Sequence, residues 1–234
     1  MPIAIITTYT HTPTAVFASQ LAQRWDASWP WYLTRASGII AAILLFLLII
    51  SGVGLITGYT FRYLEPVPAW SAHRAISIAF TVSAAIHVLS LLFDKYVGFS
   101  FLQLFIPFLS KYTPATLFGV HMGSLWVAMG IVSIYCIAAI MFTSLFWIDK
   151  KPGKWRLTHY LTYGVVALTF FHALGLGTDV KYGLGRKLWI AGGLLILVAI
   201  VSRLRLTHVK RNKTRRPPAN PQSGNRPGSD WHQR

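Results

Sequence analysis

Five apolar stretches, each close to the length of a membrane-spanning helix, constrain this chain more than any other feature of its sequence. A helix crosses the hydrocarbon core of a bilayer with about 20 mostly apolar residues. The predicted spans are Ala36–Gly58, Ala72–Phe93, a segment within Tyr112–Ile148, Leu157–Gly177 and Leu188–Leu206. Charged residues make up only 12% of the chain, against about 25% in soluble domains. The sequence therefore predicts an all-α integral membrane protein, a bundle of about five transmembrane helices.

A further apolar stretch, Tyr96–Ser110, contains Pro107 and is too short to span the membrane. We expect an interfacial or re-entrant segment here, between the second and third helices. The predicted organisation is an extramembrane segment over residues 1–30, a membrane domain over 31–207 and a basic, disordered tail over 208–234. Met1–Gln20 lacks a basic start followed by a long apolar core, so no cleaved signal peptide is predicted.

Half of the net charge of +16 lies beside the last predicted helix, where nine basic residues and one acidic residue lie between Arg203 and Arg234. Such a segment indicates membrane topology or contact with anionic lipids rather than nucleic-acid binding. With the C-terminus inside, fifteen Lys and Arg residues face the cytoplasm and seven face the other side. The positive-inside rule therefore predicts an outside N-terminus and a cytoplasmic C-terminus. We expect lipids as contacts and no nucleic-acid partner.

Four of the eight histidines fall in two predicted helices at related spacing. His73 and His87 lie on the second helix, and the interval between His159 and His172 on the fourth helix is one residue shorter. Because the two helices run in the same direction, the four histidines form two layers, about 20 Å apart at a rise of about 1.5 Å per residue. A neutral imidazole nitrogen is a good iron ligand, so two facing imidazoles can hold one heme between them.

The helical phase of these histidines leaves other interpretations open. At about 100° per residue, the fourteen steps from His73 to His87 return to within about 40° of the starting face, whereas the thirteen steps from His159 to His172 miss it by about 140°. The fourth helix would need tilt, unwinding near Gly164, or ligands approaching from different sides. Alternatively, the imidazoles hold helices together in a non-redox membrane scaffold or transporter. A further candidate is an anchor that uses the basic tail to bind anionic lipids or a partner.

Sequence motifs surround these histidines from about Trp31 to Thr178. They are Trp31–Gly38, His73–Arg74, His87, Asp94–Phe99, Trp155–Tyr160 and Phe171–His172. In these motifs the chain resembles the ferric reductase-like transmembrane domain superfamily, which includes NADPH oxidases, ferric reductases and the heme-binding membrane subunit of the bacterial methionine sulfoxide reductase system. The two unequal histidine spacings match the oxidase branch of that superfamily. The length of the chain is closer to that of the single-domain bacterial subunits.

The resemblance implies two b-type hemes, each with two histidine ligands, and electron transfer across the bilayer. His73 and His159 would hold the inner heme, and His87 and His172 would hold the outer heme. Ligation by two histidines leaves no open coordination position, so the iron would carry electrons rather than bind a substrate. Whether one or two hemes bind stays open from the sequence.

Electrons would come from a separate flavoprotein or from quinol, because the sequence has no GxGxxG fingerprint after a strand and no flavin or nicotinamide domain. A quinone or flavin would then belong to a partner. The expected acceptor lies outside the membrane and is a ferric chelate, oxygen or a periplasmic redox protein. We therefore expect an oxidoreductase component, and we assign no catalytic residue.

Several single residues are further candidates. Heme carboxylates need cations near the membrane interface, which Arg74 could supply on the inner side and Arg35 on the outer side; helix-end cations that reach the headgroups are the alternative. Phe80, midway between the histidines of the second helix, could lie between the hemes, but packing or lipid contact is favoured. His121 could contact the outer heme or a quinone, but a position facing water is favoured. The single cysteine, Cys136, excludes an internal disulfide and a thiolate-held iron–sulfur cluster.

Overall fold

A computed structural model describes residues 13–215, which form seven α-helices and one short β-hairpin. The helices are α1 (Pro13–Thr57), α2 (Pro66–Ser90), α3 (Phe101–Phe105), α4 (Leu125–Phe146), α5 (Pro152–His159), α6 (Leu161–Leu176) and α7 (Gly183–Arg215). Five helical segments of this part of the chain are long and apolar enough to cross a membrane: Ser28–Thr57, Pro66–Ser90, Leu125–Phe146, Pro152–Leu176 and Gly183–Arg205. The predicted all-α membrane bundle is confirmed.

The first and last helices extend beyond the predicted spans. α1 begins at Pro13 and continues through Pro30, and its apolar part begins at Ser28. α7 continues to Arg215, into the segment that the sequence predicted to be disordered. Residues 1–12 and 216–234 lie outside the described residues. These two ranges contain most of the predicted disordered tail and the beginning of Met1–Gln20, where no signal peptide is predicted.

The connection from α2 to α4 contains the predicted interfacial segment. After α2, the buried Asp94 carboxylate accepts the backbone N–H of Tyr96 at 2.8 Å and closes a turn. The five-residue helix α3 follows, and then the hairpin of β1 (Thr116–Leu117) and β2 (Val120–His121). The hairpin occupies the start of the stretch from which the third span was predicted, because an absence of charge does not by itself mark a helix.

The bundle is built mainly from two helix pairs, α1 with α2 and α4 with α6. Hydroxyl groups join the first pair: Thr34 and Ser90 pair at 2.6 Å, and Ser83 donates to the carbonyl of Ser37 at 2.9 Å. Such small polar side chains let membrane helices approach closely and hydrogen-bond across the contact. The two pairs meet in one buried apolar cluster, which consists of Leu45, Ile49, Phe80, Ile137 and Val165.

Phe80 belongs to this cluster and is only 6% exposed. It lies on α2 between His73 and His87, so the apolar cluster separates the two histidine layers. The expectation that Phe80 packs inside the protein is confirmed, and the alternative that it faces lipid is wrong.

α7 closes one side of the bundle against α1 and α6. A Cβ built on Gly193 would come within 2.5 Å of the Phe170 ring, so only glycine permits this approach. The Trp189 indole N–H donates to the Phe170 carbonyl at 3.2 Å, and the two rings stack with centres 5.7 Å apart. Gly193 of the last span therefore serves helix packing.

Candidate functional site

Two imidazoles of the sequence-predicted site meet between the two helix pairs. His87 near the end of α2 and His172 near the end of α6 face each other with ring centres 6.3 Å apart and ring planes at 88°. Both rings are half-buried. The structure thus brings together the two residues that the sequence assigned to the outer layer.

Each of these imidazoles is held by a backbone carbonyl of the neighbouring helix. Nδ1 of His87 bonds to the Thr34 carbonyl at 2.8 Å, and Nδ1 of His172 bonds to the Trp126 carbonyl at 2.8 Å. A carbonyl oxygen only accepts, so Nδ1 carries the proton in both rings and Nε2 keeps its lone pair. This is the tautomer that a metal-ligating histidine needs, with the second nitrogen held by an acceptor.

Two glycines make room for the same rings. A Cβ on Gly38 of α1 would lie 2.9 Å from Nδ1 of His87, and a Cβ on Gly130 of α4 would lie 2.7 Å from Nδ1 of His172. Any larger residue at these positions would push the imidazole away from its carbonyl. Glycine is therefore required here by the position of the imidazole.

The distance between the two rings fits one metal ion between them. An imidazole nitrogen binds a transition metal at about 2 Å and lies about 1.2 Å from the ring centre, so two imidazoles on opposite sides of one metal have centres about 6.4 Å apart. His87 and His172 have centres 6.3 Å apart. Two imidazoles supply only two ligands, so the other ligands must come with the metal, as the four porphyrin nitrogens do in heme.

The second layer is formed by His73 on α2 and His159 at the end of α5, which lie within electrostatic range of each other. Nδ1 of His73 pairs with the Ser51 hydroxyl at 2.8 Å. That hydroxyl donates its one proton to the Leu48 carbonyl at 2.9 Å, so it accepts from His73. His73 therefore also keeps the lone pair on Nε2, and it packs against Gly52, whose Cβ would lie 3.3 Å from the ring.

His159 differs from the other three histidines. Within the described part of the chain, its buried Nδ1 has no hydrogen-bond partner. A buried polar group left unpaired costs about 1–3 kcal/mol. The ring packs on Trp155 with centres 5.3 Å apart, as the His73 ring packs on Trp70 at 6.5 Å.

The fourth span is broken between its two histidines. α5 ends at His159 and α6 begins at Leu161, with Tyr160 as the residue between them. Because the interval from His159 to His172 does not return to the same face, the sequence left three alternatives for this helix: tilt, unwinding near Gly164, or ligands that approach from different sides. Gly164 lies inside α6, so the position of the break is corrected to Tyr160.

The predicted arginines lie in different surroundings. Arg74 is exposed on α2 beside His73. Arg35 forms an ion pair with Asp179, in the turn before α7, and lies 5.0 Å from the centre of the Trp31 ring. This pair fastens α1 to the α6–α7 connection at the outer layer. A role for either arginine at a heme carboxylate stays a prediction.

Sequence reasoning missed Arg203 of α7. Its guanidinium hydrogen-bonds to the Tyr163 hydroxyl, lies 5.4 Å from the centre of that ring and is within electrostatic range of His159. The available signal was the position of Arg203 at the inner end of the last apolar span, where sequence reasoning only counted it with the basic residues that continue into the tail. Arg203 therefore brings a positive charge close to the inner layer.

His121 lies in β2 and is exposed, in agreement with the expectation that it faces water. Within residues 13–215, no cluster of three or more His, Cys, Asp or Glu residues has the geometry of a metal site. The candidate site of the described chain therefore consists of the two histidine pairs.

Comparison of the chain with models of protein families, with curated proteins and with solved structures gives no match. The functional argument therefore rests on the geometry of the two layers.

Proposed function

We propose that this protein carries electrons across a membrane through two b-type hemes, each held by one histidine of α2 and one of the α5–α6 segment. The observation that carries the proposal is the outer pair. The rings of His87 and His172 have centres 6.3 Å apart, close to the separation of two imidazoles that share one iron ion, and their Nδ1 hydrogen bonds leave Nε2 of each ring unprotonated. Bound heme supplies a one-electron couple between ferric and ferrous iron.

The protein's own residues would set the position and environment of that couple. The carbonyls of Thr34 and Trp126 orient the outer imidazoles, and the hydroxyl of Ser51 orients His73. The apolar cluster around Phe80 excludes water between the layers. The inner layer also has Arg203 close by, whose positive charge would favour an anionic heme carboxylate.

We further propose that electrons enter at the layer of His73 and His159, from a flavoprotein or from quinol, and leave at the layer of His87 and His172. The acceptor would be a ferric chelate, oxygen or a periplasmic redox protein. The orientation rests on the excess of Lys and Arg on the side of the C-terminus, in a bacterial inner membrane.

Electron transfer can be tested with the purified, heme-loaded protein in sealed vesicles. Ferricyanide is trapped inside, and dithionite is added outside as the reductant. We expect the trapped ferricyanide to be reduced faster than in protein-free vesicles, and the rate to return to the protein-free value with His172→Leu. Equal rates with and without the protein would contradict the proposal.

The orientation gives a separate prediction. A fluorescent protein fused after Arg234 folds and fluoresces in the cytoplasm, and a periplasmic phosphatase fused there is inactive. We expect fluorescence and no phosphatase activity, because fifteen Lys and Arg residues would otherwise face the outside. The opposite result would reverse the proposed direction of electron transfer without affecting the histidine layers.

A second candidate function is a non-redox scaffold or transporter. The hydrogen bonds from His87 to α1 and from His172 to α4 favour it, because they join helices whether or not a metal is present. It predicts that the protein folds fully without heme and has no absorbance in the visible range. The spectrum of the purified protein therefore separates the two candidates.

A further inference from the structure

The two helix pairs that carry the histidines repeat one another along the sequence. On α1 and α4, the same shift in residue number that takes Thr34 to Trp126 also takes Gly38 to Gly130. These are the carbonyls that accept from the outer imidazoles and the glycines that make room for them. The same function thus recurs at the same spacing on two helices.

The partner helices show the same relation. Between α2 and the α5–α6 segment, a second constant shift in residue number relates three pairs of residues. The matching pairs are Trp70 with Trp155, Phe80 with Val165, and His87 with His172. Trp70 and Trp155 each lie beside the inner histidine of their segment. Phe80 and Val165 both belong to the buried apolar cluster, and His87 and His172 form the outer layer.

The shift that relates α1 to α4 also takes Ser51 to Thr143. Ser51 donates to the carbonyl of Leu48, three residues before it, and accepts from His73. Thr143 is only 4% exposed, and its hydroxyl donates within its own helix, to the Ala139 carbonyl at 2.9 Å with the Ile140 carbonyl at 3.1 Å as the second acceptor. Thr143 therefore presents oxygen lone pairs to the bundle in the same way as Ser51.

α5, which ends at His159, packs on α4 next to Thr143. The indole N–H of Trp155 donates to the hydroxyl of Ser144 at 3.2 Å, and the Trp155 ring packs on the His159 ring. His159 comes one residue later than the shift between the partner helices would place the counterpart of His73, and the helix breaks immediately afterwards, at Tyr160. This displaced histidine is the one whose buried Nδ1 has no partner among the described residues.

We propose that Thr143 accepts the Nδ1 proton of His159 when the inner heme is bound, and so acts as a positioning residue for that heme. This inference rests on the proposed function. All four histidines would then have an acceptor on the neighbouring helix, as iron-ligating histidines usually do.

The test is a redox titration of the full-length, heme-loaded protein, followed by its absorbance and by the ferric low-spin electron paramagnetic resonance signals. We expect Thr143→Val to make the midpoint potential of the inner heme more positive and to leave the outer heme unchanged. Loss of the acceptor weakens the imidazole as a donor and destabilises ferric iron relative to ferrous iron. Thr143→Ser keeps the hydroxyl and should restore the original potential.

Matched variants make the result specific. Ser51→Ala should shift the inner heme in the same direction, and Ser133→Ala should shift neither heme, because Ser133 is a buried hydroxyl of α4 that donates only to its own helix. The inner heme is identified as the one that His73→Leu removes. Loss of that heme in Thr143→Val, with retention in Thr143→Ser, also supports the inference.

Three outcomes would overturn this inference while the proposed function stands. The first is a Thr143→Val protein in which the midpoint potentials of both hemes are unchanged, and the second is a Thr143→Val protein in which the potential of the outer heme shifts. The third is loss of the inner heme in both Thr143→Val and Thr143→Ser. A wild-type protein without heme would instead overturn the proposed function.

Discussion

His87→Leu is expected to leave the purified protein with one heme per chain in place of two, and His172→Leu is expected to do the same. The two imidazoles have ring centres 6.3 Å apart, so either substitution would remove one of the two residues proposed to hold the same heme. Leucine is close to histidine in size and adds no polar group to the membrane interior. The heme-to-chain ratio of each variant, measured by pyridine hemochrome, gives the result directly.

The matched control is His121→Leu, because His121 is an exposed residue of β2, away from both layers. It should retain both hemes. The double variant His87→Leu/His172→Leu should still hold one heme, because both changes act on one layer. A double variant without heme, or single variants with full heme content, would contradict the pairing.

Gly130→Ala is expected to weaken heme binding at the outer layer about 10–100-fold, the usual effect of losing the group that orients a metal-ligating histidine. The new methyl group would lie 2.7 Å from both Nδ1 and Cε1 of His172. The ring must move, and the hydrogen bond from its Nδ1 to the Trp126 carbonyl breaks. Titration of the heme-free protein with hemin measures the change in affinity.

Gly164→Ala is the matched control for this substitution. Gly164 lies inside α6, and a Cβ there meets nothing within 4 Å. Alanine is the better helix former, so this variant should keep full heme affinity and equal or higher stability. Equal heme affinity in Gly130→Ala and Gly164→Ala would show that the position of His172 does not depend on the glycine contact.

The membrane spans could be predicted from the sequence because the bilayer imposes a simple condition: long apolar segments with every backbone group bonded inside a helix. The pairing of His87 with His172 also followed, since co-directional helices place residues of equal depth in one layer. Helix ends and the β1–β2 hairpin could not be predicted in this way, because a turn inside a continuous apolar stretch changes neither its hydrophobicity nor its charge.

The groups that hold the imidazoles were beyond sequence reasoning for a different reason. Thr34 and Trp126 act through backbone carbonyls, which every residue has, so their side chains give no signal. Ser51 and Thr143 resemble the many other small hydroxyl residues of membrane helices. Only the three-dimensional structure shows which carbonyl and which hydroxyl face a histidine.

The central claim is that two pairs of histidines hold two hemes, and the most direct test is the heme content of the purified, full-length protein after expression with heme supplied. We predict two b-type hemes per chain, with a reduced-minus-oxidised spectrum typical of low-spin iron. One heme per chain would preserve the redox function but contradict the two-layer arrangement. No heme would contradict the claim and return the four histidines to a role in helix packing.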